Sequence, residues 1–175
     1  MLAAAFFLMS LCFGETLSAG NFGVLGGANF HTYDSSKMLT KWHAGLTYKV
    51  NLPVGFQLQP AVLYSEKAAS YGNVSSDLSV GYLELMASMQ WGIDLILFRP
   101  FVEVCPFAGY GLGGSSSLKD VWAAGGDKWE YGVGLGGGLQ IWRFQLGARY
   151  NWNFSNAGIA GADFSAVTLS LAYFF

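Results

Sequence analysis

The chain has 175 residues, of which 53% are hydrophobic and only 11% charged, and its formal net charge is −2. An ordinary soluble domain carries roughly 25% charged residues, so a water-facing surface is hard to build here, while 17% aromatics exclude a disordered chain. No basic run exists to hold a nucleic acid, and no stretch reaches the about 20 consecutive apolar residues of a spanning helix.

Met1 to Gly14 reads MLAAAFFLMSLCFG, an apolar run of secretory type, and the small residues Ser18 and Ala19 follow it. The expectation is a signal peptide over residues 1–19 ahead of a single domain over 20–175. No Lys or Arg precedes Lys37, so the start of the signal reads as truncated. Leu11 is too large to precede a lipidated cysteine at Cys12. Without this segment Cys105 is the one remaining cysteine, so no intramolecular disulfide is expected. The simplest role for Cys105 is a small interior filler.

Beyond residue 20 the hydrophobic period is two, not 3.6. Eight strands are predicted, at 21–31, 42–52, 56–66, 80–92, 100–110, 129–141, 144–154 and 164–175. In Tyr82 to Trp91, one parity is Leu83, Leu85, Ala87, Met89 and Trp91, and the other holds Glu84, Ser88 and Gln90. Each predicted strand repeats this. The apolar parities together contain no charge and no side-chain amide, while the opposite parities hold His43, Asn51, Gln57, Gln59, Gln140, Gln145 and the interior charges named below. Gly132, Gly134, Gly136 and Gly138 share one face of the sixth strand. Apolar outside and polar inside is the pattern of a transmembrane β-barrel, which must close because lipid satisfies no backbone group. The predicted fold is therefore an all-β, eight-stranded, antiparallel up-and-down barrel with a filled polar interior.

The predicted connections alternate in length. Strands one to two, three to four, five to six and seven to eight are joined by about 9 to 18 residues, and the others by shorter turns, as in barrels with long external loops and short periplasmic turns. Both ends of the barrel domain then lie on the periplasmic side. The long loops carry most remaining charge, including Asp34, Lys37, Lys41, Asp120 and Lys128. Two prolines, Pro60 and Pro106, fall inside predicted strands and remove ladder donors, and bulges are expected there. The turn from Ile93 to Arg99 is unusually apolar for a periplasmic turn.

Four segments resemble those of the small outer-membrane β-barrel domain family, often labelled porin-family or PorT-like, that is abundant in Bacteroidota. They are LQPAVLYSEKAA (Leu58 to Ala69), YLELMASMQW (Tyr82 to Trp91), RPFVEVCPFAGYGLG (Arg99 to Gly113) and LGARYNWNFSNAG (Leu146 to Gly158). Ala61, and the run Asn153, Phe154 and Ser155, depart from that family's usual residues. The resemblance implies an outer-membrane barrel and says little about its work.

An eight-stranded barrel is just wide enough for its own side chains, so an open pore is not expected despite the porin label. The interior charges balance, with Lys49, Lys67 and Arg149 against Glu84, Glu103 and Glu130. Glu84 and Arg149 are expected to share a cluster with Glu103 or Glu130. Aromatic girdles are expected at the two interfaces. Phe22, Phe56, Trp91 and Phe144 fall at periplasmic strand ends, and Phe30, Trp42, Tyr64, Tyr110, Trp129 and Trp152 near external ends. The alternation through Leu171 and Tyr173 to a terminal Phe175 looks like the signal that outer-membrane assembly machinery recognises. In the third loop, Leu112 to Lys128, Trp122 is the candidate contact residue for a surface ligand.

Catalysis is not expected. His31 and His43 lie near the external rim with Asp34, Ser35 and Ser36, but loop residues rarely hold catalytic geometry. No third ligand joins the histidines to a metal, and no cofactor is implied. The expected function is structural or loop-mediated recognition at the bacterial outer membrane, with lipid and the assembly machinery as partners. The alternatives are a narrow solute or ion channel and a lipid-modifying enzyme.

Overall fold

The computed structural model describes residues 21–33, 37–69, 78–114, 128–155 and 165–175. These form strands β1 (Phe22–Tyr33), β2 (Lys37–Tyr48), β3 (Val50–Asn51), β4 (Phe56–Ala69), β5 (Leu78–Gly92), β6 (Arg99–Gly114), β7 (Trp129–Ile141), β8 (Phe144–Asn153) and β9 (Ala166–Phe174). Neighbours along the chain pair antiparallel, β1 pairs with β9, and β2 pairs with β4. The sheet therefore closes into a barrel of eight staves, β2 and β3 being two parts of one stave. Among the described residues no helix is long and apolar enough to cross a membrane.

The break between β2 and β3 has a cause in the sequence. Thr47 pairs with Ala61 and Val50 with Leu58, so the register against β4 is the same on both sides of Lys49. That register sets Pro60, which has no N–H, opposite Tyr48. The ladder to β4 lapses there and the Pro60 carbonyl accepts from Thr47 Oγ1 at 3.1 Å, while on the other side Lys49 N continues the β1 ladder by donating to Asn21 O at 2.8 Å. Pro106 acts in the same way. The β5–β6 register is unchanged between Met86–Phe107 and Met89–Val104, but the pairs between them, at Pro106, are missing. Neither proline sits in the expected bulge. The one register shift between β5 and β6 lies at Gly81/Tyr82.

The period-two reading matches the faces of the barrel. Val24, Leu46, Val62, Leu85, Val104, Leu135, Leu146 and Leu169 are exposed on the outside, and His43, Gln59, Glu84, Glu103, Glu130, Gln145 and Arg149 are buried inside. Asn51 is the exception, because it stands exposed at the barrel mouth beside Gln57. The stripe of β7 glycines makes room for interior side chains. A Cβ on Gly134 would run into Arg149 and Asn151, and one on Gly132 into the Phe107 ring.

The strands run further at the end away from the short turns than the alternation predicts. β2 begins at Lys37, so Lys37 and Lys41 are strand residues and the first connection at that end is far shorter than expected. β4 continues to Ala69, and β6 to Gly114. Hairpins that leave the apolar layer are wet on both faces, so alternation no longer marks them.

Candidate functional site

Among the described residues, chemistry-bearing side chains converge in the lumen. The half of it away from the short turns is charged. Lys67, on β4, lies 2.7 Å from Glu84 on β5 and 3.0 Å from Glu130 on β7. Its ammonium also stands over the Phe107 ring at 4.4 Å. Asn153 Nδ2 donates to the second Glu130 oxygen at 2.9 Å. Gly109 lies between Glu84 and Glu130 in the register, and a Cβ there would strike the Glu130 carboxylate. The glycine thus leaves room for three ionisable groups at one level.

One level towards the short turns, Arg149 Nη1 donates to Glu103 Oε1 at 3.3 Å. The other Glu103 oxygen accepts from Ser88 Oγ and from Gln90 Nε2, the latter at 3.1 Å. The direct pairs are Glu84 with Lys67 and Arg149 with Glu103, and Glu84 and Arg149 line one small cavity between the two levels. Lys49 stands apart, donating to Gln140 Oε1 at 3.4 Å with its ammonium 3.6 Å from the Phe174 ring centre.

The short-turn half is built mainly of amides. Gln140 Nε2 lies within 2.8 to 3.2 Å of the side-chain oxygens of Gln57, Gln90 and Gln145. Gln90 and Gln145 both donate to Gln59 Oε1, at 2.8 and 2.9 Å. Arg99 closes this end and is an interior charge that the sequence reading placed in a turn. It donates to Gln57 Oε1 at 2.8 Å and to Gly55 O at 2.7 Å, and its Nε lies 3.2 Å from Asp94. One guanidinium thereby ties two short turns to the barrel floor. The available signal was parity, since Arg99 shares the inward phase of Phe101 and Glu103.

His43 has an arrangement of its own. Its Nδ1–H donates to Asn29 Oδ1 and the Ser170 hydroxyl donates to its Nε2, both at 3.1 Å. Asn29 is held by donating to Ser65 Oγ at 3.1 Å and to Glu66 O at 3.0 Å. A hydroxyl, an imidazole and an orienting amide in this order have the connectivity of a nucleophilic triad. The cavity beside Ser170 measures ≈ 20 Å³, and the one beside His43 ≈ 10 Å³. Each is the size of one water molecule. His31 is also buried in the lumen. Among the described residues no group of acids, histidines or cysteines is arranged to hold a metal.

On the outside, Phe22, Phe56, Trp91 and Phe144 ring the short-turn end, all exposed. Trp42, Tyr64, Tyr110, Trp129 and Trp152 are exposed towards the opposite end, where Phe30 is half-buried. Neighbouring rings touch, with Trp42–Tyr64 centroids at 5.3 Å and Tyr110–Trp129 at 5.2 Å. Tyr131 and Tyr150 add to the external ring. At the seam between β9 and β1, Phe175 stacks on Phe22 at 6.3 Å, and between β8 and β9 Tyr173 packs on Phe144 at 5.1 Å. Leu171 is exposed on the same outer face. Trp122 and segment 1–19, where a signal peptide is expected, lie outside the described residues.

Two solved structures match this architecture over nearly their whole length. Neisserial surface protein A is 17% identical, with 89% of this chain and 97% of that one covered at a TM-score of 0.52. The outer membrane enzyme PagL is 16% identical, with 87% and 99% covered at a TM-score of 0.55. The fold is that of the small eight-stranded outer-membrane barrels. No family model and no curated protein matches the chain.

Proposed function

We propose that this chain is a small integral outer-membrane barrel whose interior is a plug and whose work is structural or done by its external loops. The supporting observation is the packing of the lumen. Charge pairs and amides cross it at successive levels, beside cavities no larger than a water molecule. A permeating solute would have to separate buried ion pairs that leave no room around them. The proposed location is the bacterial outer membrane, with both ends of the barrel domain periplasmic. Membrane lipid is the constant partner, and the assembly machinery reads Leu171, Tyr173 and Phe175. The kinship proposed from the four sequence segments is with the porin-family, PorT-like barrels. The loop between β6 and β7, with Trp122, is the proposed recognition element.

Planar-bilayer recording separates this from a narrow channel. Purified protein is expected to give no steady unitary conductance, and a reproducible open level would overturn the plug. A second reading, a lipid-modifying enzyme, draws on the Ser170–His43–Asn29 geometry. We favour a structural role for that trio, because the cavities that adjoin it are no larger than a water molecule. A His43→Ala variant that altered membrane lipid composition would reverse that preference. Capture of a surface ligand by the intact barrel but not by a 115–127 deletion, which leaves β6 and β7 whole, is the expected result for loop-mediated recognition.

A further inference from the structure

The apolar outer parity continues past the short-turn girdle. On β5 it passes through Met89 and Trp91, then runs on through Ile93 and Leu95, and the return strand resumes it at Phe98 and Pro100. Two rungs hold this extension as a hairpin, with Ile93 N donating to Pro100 O at 3.2 Å and Leu95 N to Phe98 O at 3.1 Å. Ile96 at its tip is fully exposed. The two neighbouring turns repeat the theme. Val54 is 84% exposed and Trp142 85%. Both have positive φ, at 62° and 55°. Glycine or asparagine suits such positions, and a β-branched residue there is a steric outlier. Turns with room for polar residues thus present bulky apolar ones. On the outer face of the extension lies an open apolar groove of ≈ 180 Å³, lined by Trp91, Gly92, Ile93, Pro100, Phe101 and Val102.

We infer that the short-turn rim is embedded in lipid: the phospholipid leaflet on that side reaches the turn tips, and an acyl chain lies in the groove between Trp91 and Val102. Continuity is the first argument. The groove and the turn residues extend the outer apolar face without a polar interruption, so whatever solvates Leu85 and Met89 also meets Ile93 and Leu95. Charge is the second. Lys49 and Arg99 face the lumen and Asp94 is paired to Arg99, so among the described residues at this end the outward unpaired charge is the exposed Arg143 cation, suited to phospholipid phosphates. The Arg143 guanidinium lies 5.7 Å from the Trp142 ring, and indole with arginine is a pair found at headgroup level.

The inference rests on the membrane-spanning reading, and one experiment separates the two. Nitroxides are placed by Leu85→Cys, Val54→Cys and Leu97→Cys, each combined with Cys12→Ser and Cys105→Ala. The full chain is reconstituted in phosphatidylethanolamine–phosphatidylglycerol bilayers, with its fold verified by gel mobility. Collision with oxygen, which concentrates in lipid, is compared with collision with a water-soluble nickel chelate. Labels at 54 and 97 are expected to favour oxygen several-fold, as the belt label at 85 does. Nickel-favoured collisions at 54 and 97, with 85 still oxygen-favoured, overturn the inference and leave the membrane reading intact. Protection from both reagents with dipolar broadening means that a second copy covers the rim, and also overturns it. A nickel-accessible label at 85 refutes the membrane reading itself. Trp142→Cys repeats the measurement on the adjacent turn if Leu97→Cys does not fold.

Discussion

The two halves of the lumen fill the same space with different chemistry. Towards the external end, Lys67, Glu84, Glu130, Arg149 and Glu103 form ion pairs. Towards the short turns, five glutamines share hydrogen bonds. A carboxylate only accepts and an ammonium only donates, so each buried ion depends on particular partners. An amide does both, and a glutamine that loses one neighbour can turn to another. The charged half should therefore specify one packing, and the amide half should tolerate change. Arg99 and Lys49 fit the contrast, since both are cations held largely by amide or backbone oxygens.

Lys67→Met should have the largest effect, because it leaves Glu84 and Glu130 buried without their shared cation. The expected loss is about 3–5 kcal/mol, read from urea unfolding in lipid vesicles. Adding Glu84→Gln and Glu130→Gln to Lys67→Met should recover most of it, since the uncompensated charges are then gone. No recovery would mean that the site matters through its shape and not its charge. Arg149→Met should cost less, about 1.5–3 kcal/mol, because Ser88 and Gln90 still donate to Glu103. Gln140→Leu, in the amide half, should cost about 1 kcal/mol, since Gln57, Gln90 and Gln145 can pair anew. A Gln140→Leu loss as large as that of Lys67→Met would erase the contrast between the halves.

Much of this architecture is legible residue by residue. Glu84 between Leu83 and Leu85 announces an inward carboxylate, and Arg149 between Ala148 and Tyr150 an inward guanidinium. Where the apolar alternation lapses, as at Lys37 to Lys41, the strand is read as a loop. Where a charge sits between an apolar turn and a proline, as Arg99 does, the turn composition masks its parity. Pro60 shows the converse. Its missing donor is plain in the sequence, but only the register shows that the stave it breaks is the neighbouring one, at Lys49.

By itself the sequence determined that this chain forms a barrel and which side of each strand meets lipid, because a side-chain period of two is a property of one strand. Only the tertiary structure decided which interior groups meet. Lys67 takes both Glu84 and Glu130, Arg149 takes Glu103, and His43 joins Ser170 from a strand far along the chain. The reason is geometric. Contacts across a lumen depend on strand tilt and on the stagger accumulated around the closed sheet, and no single strand carries that information.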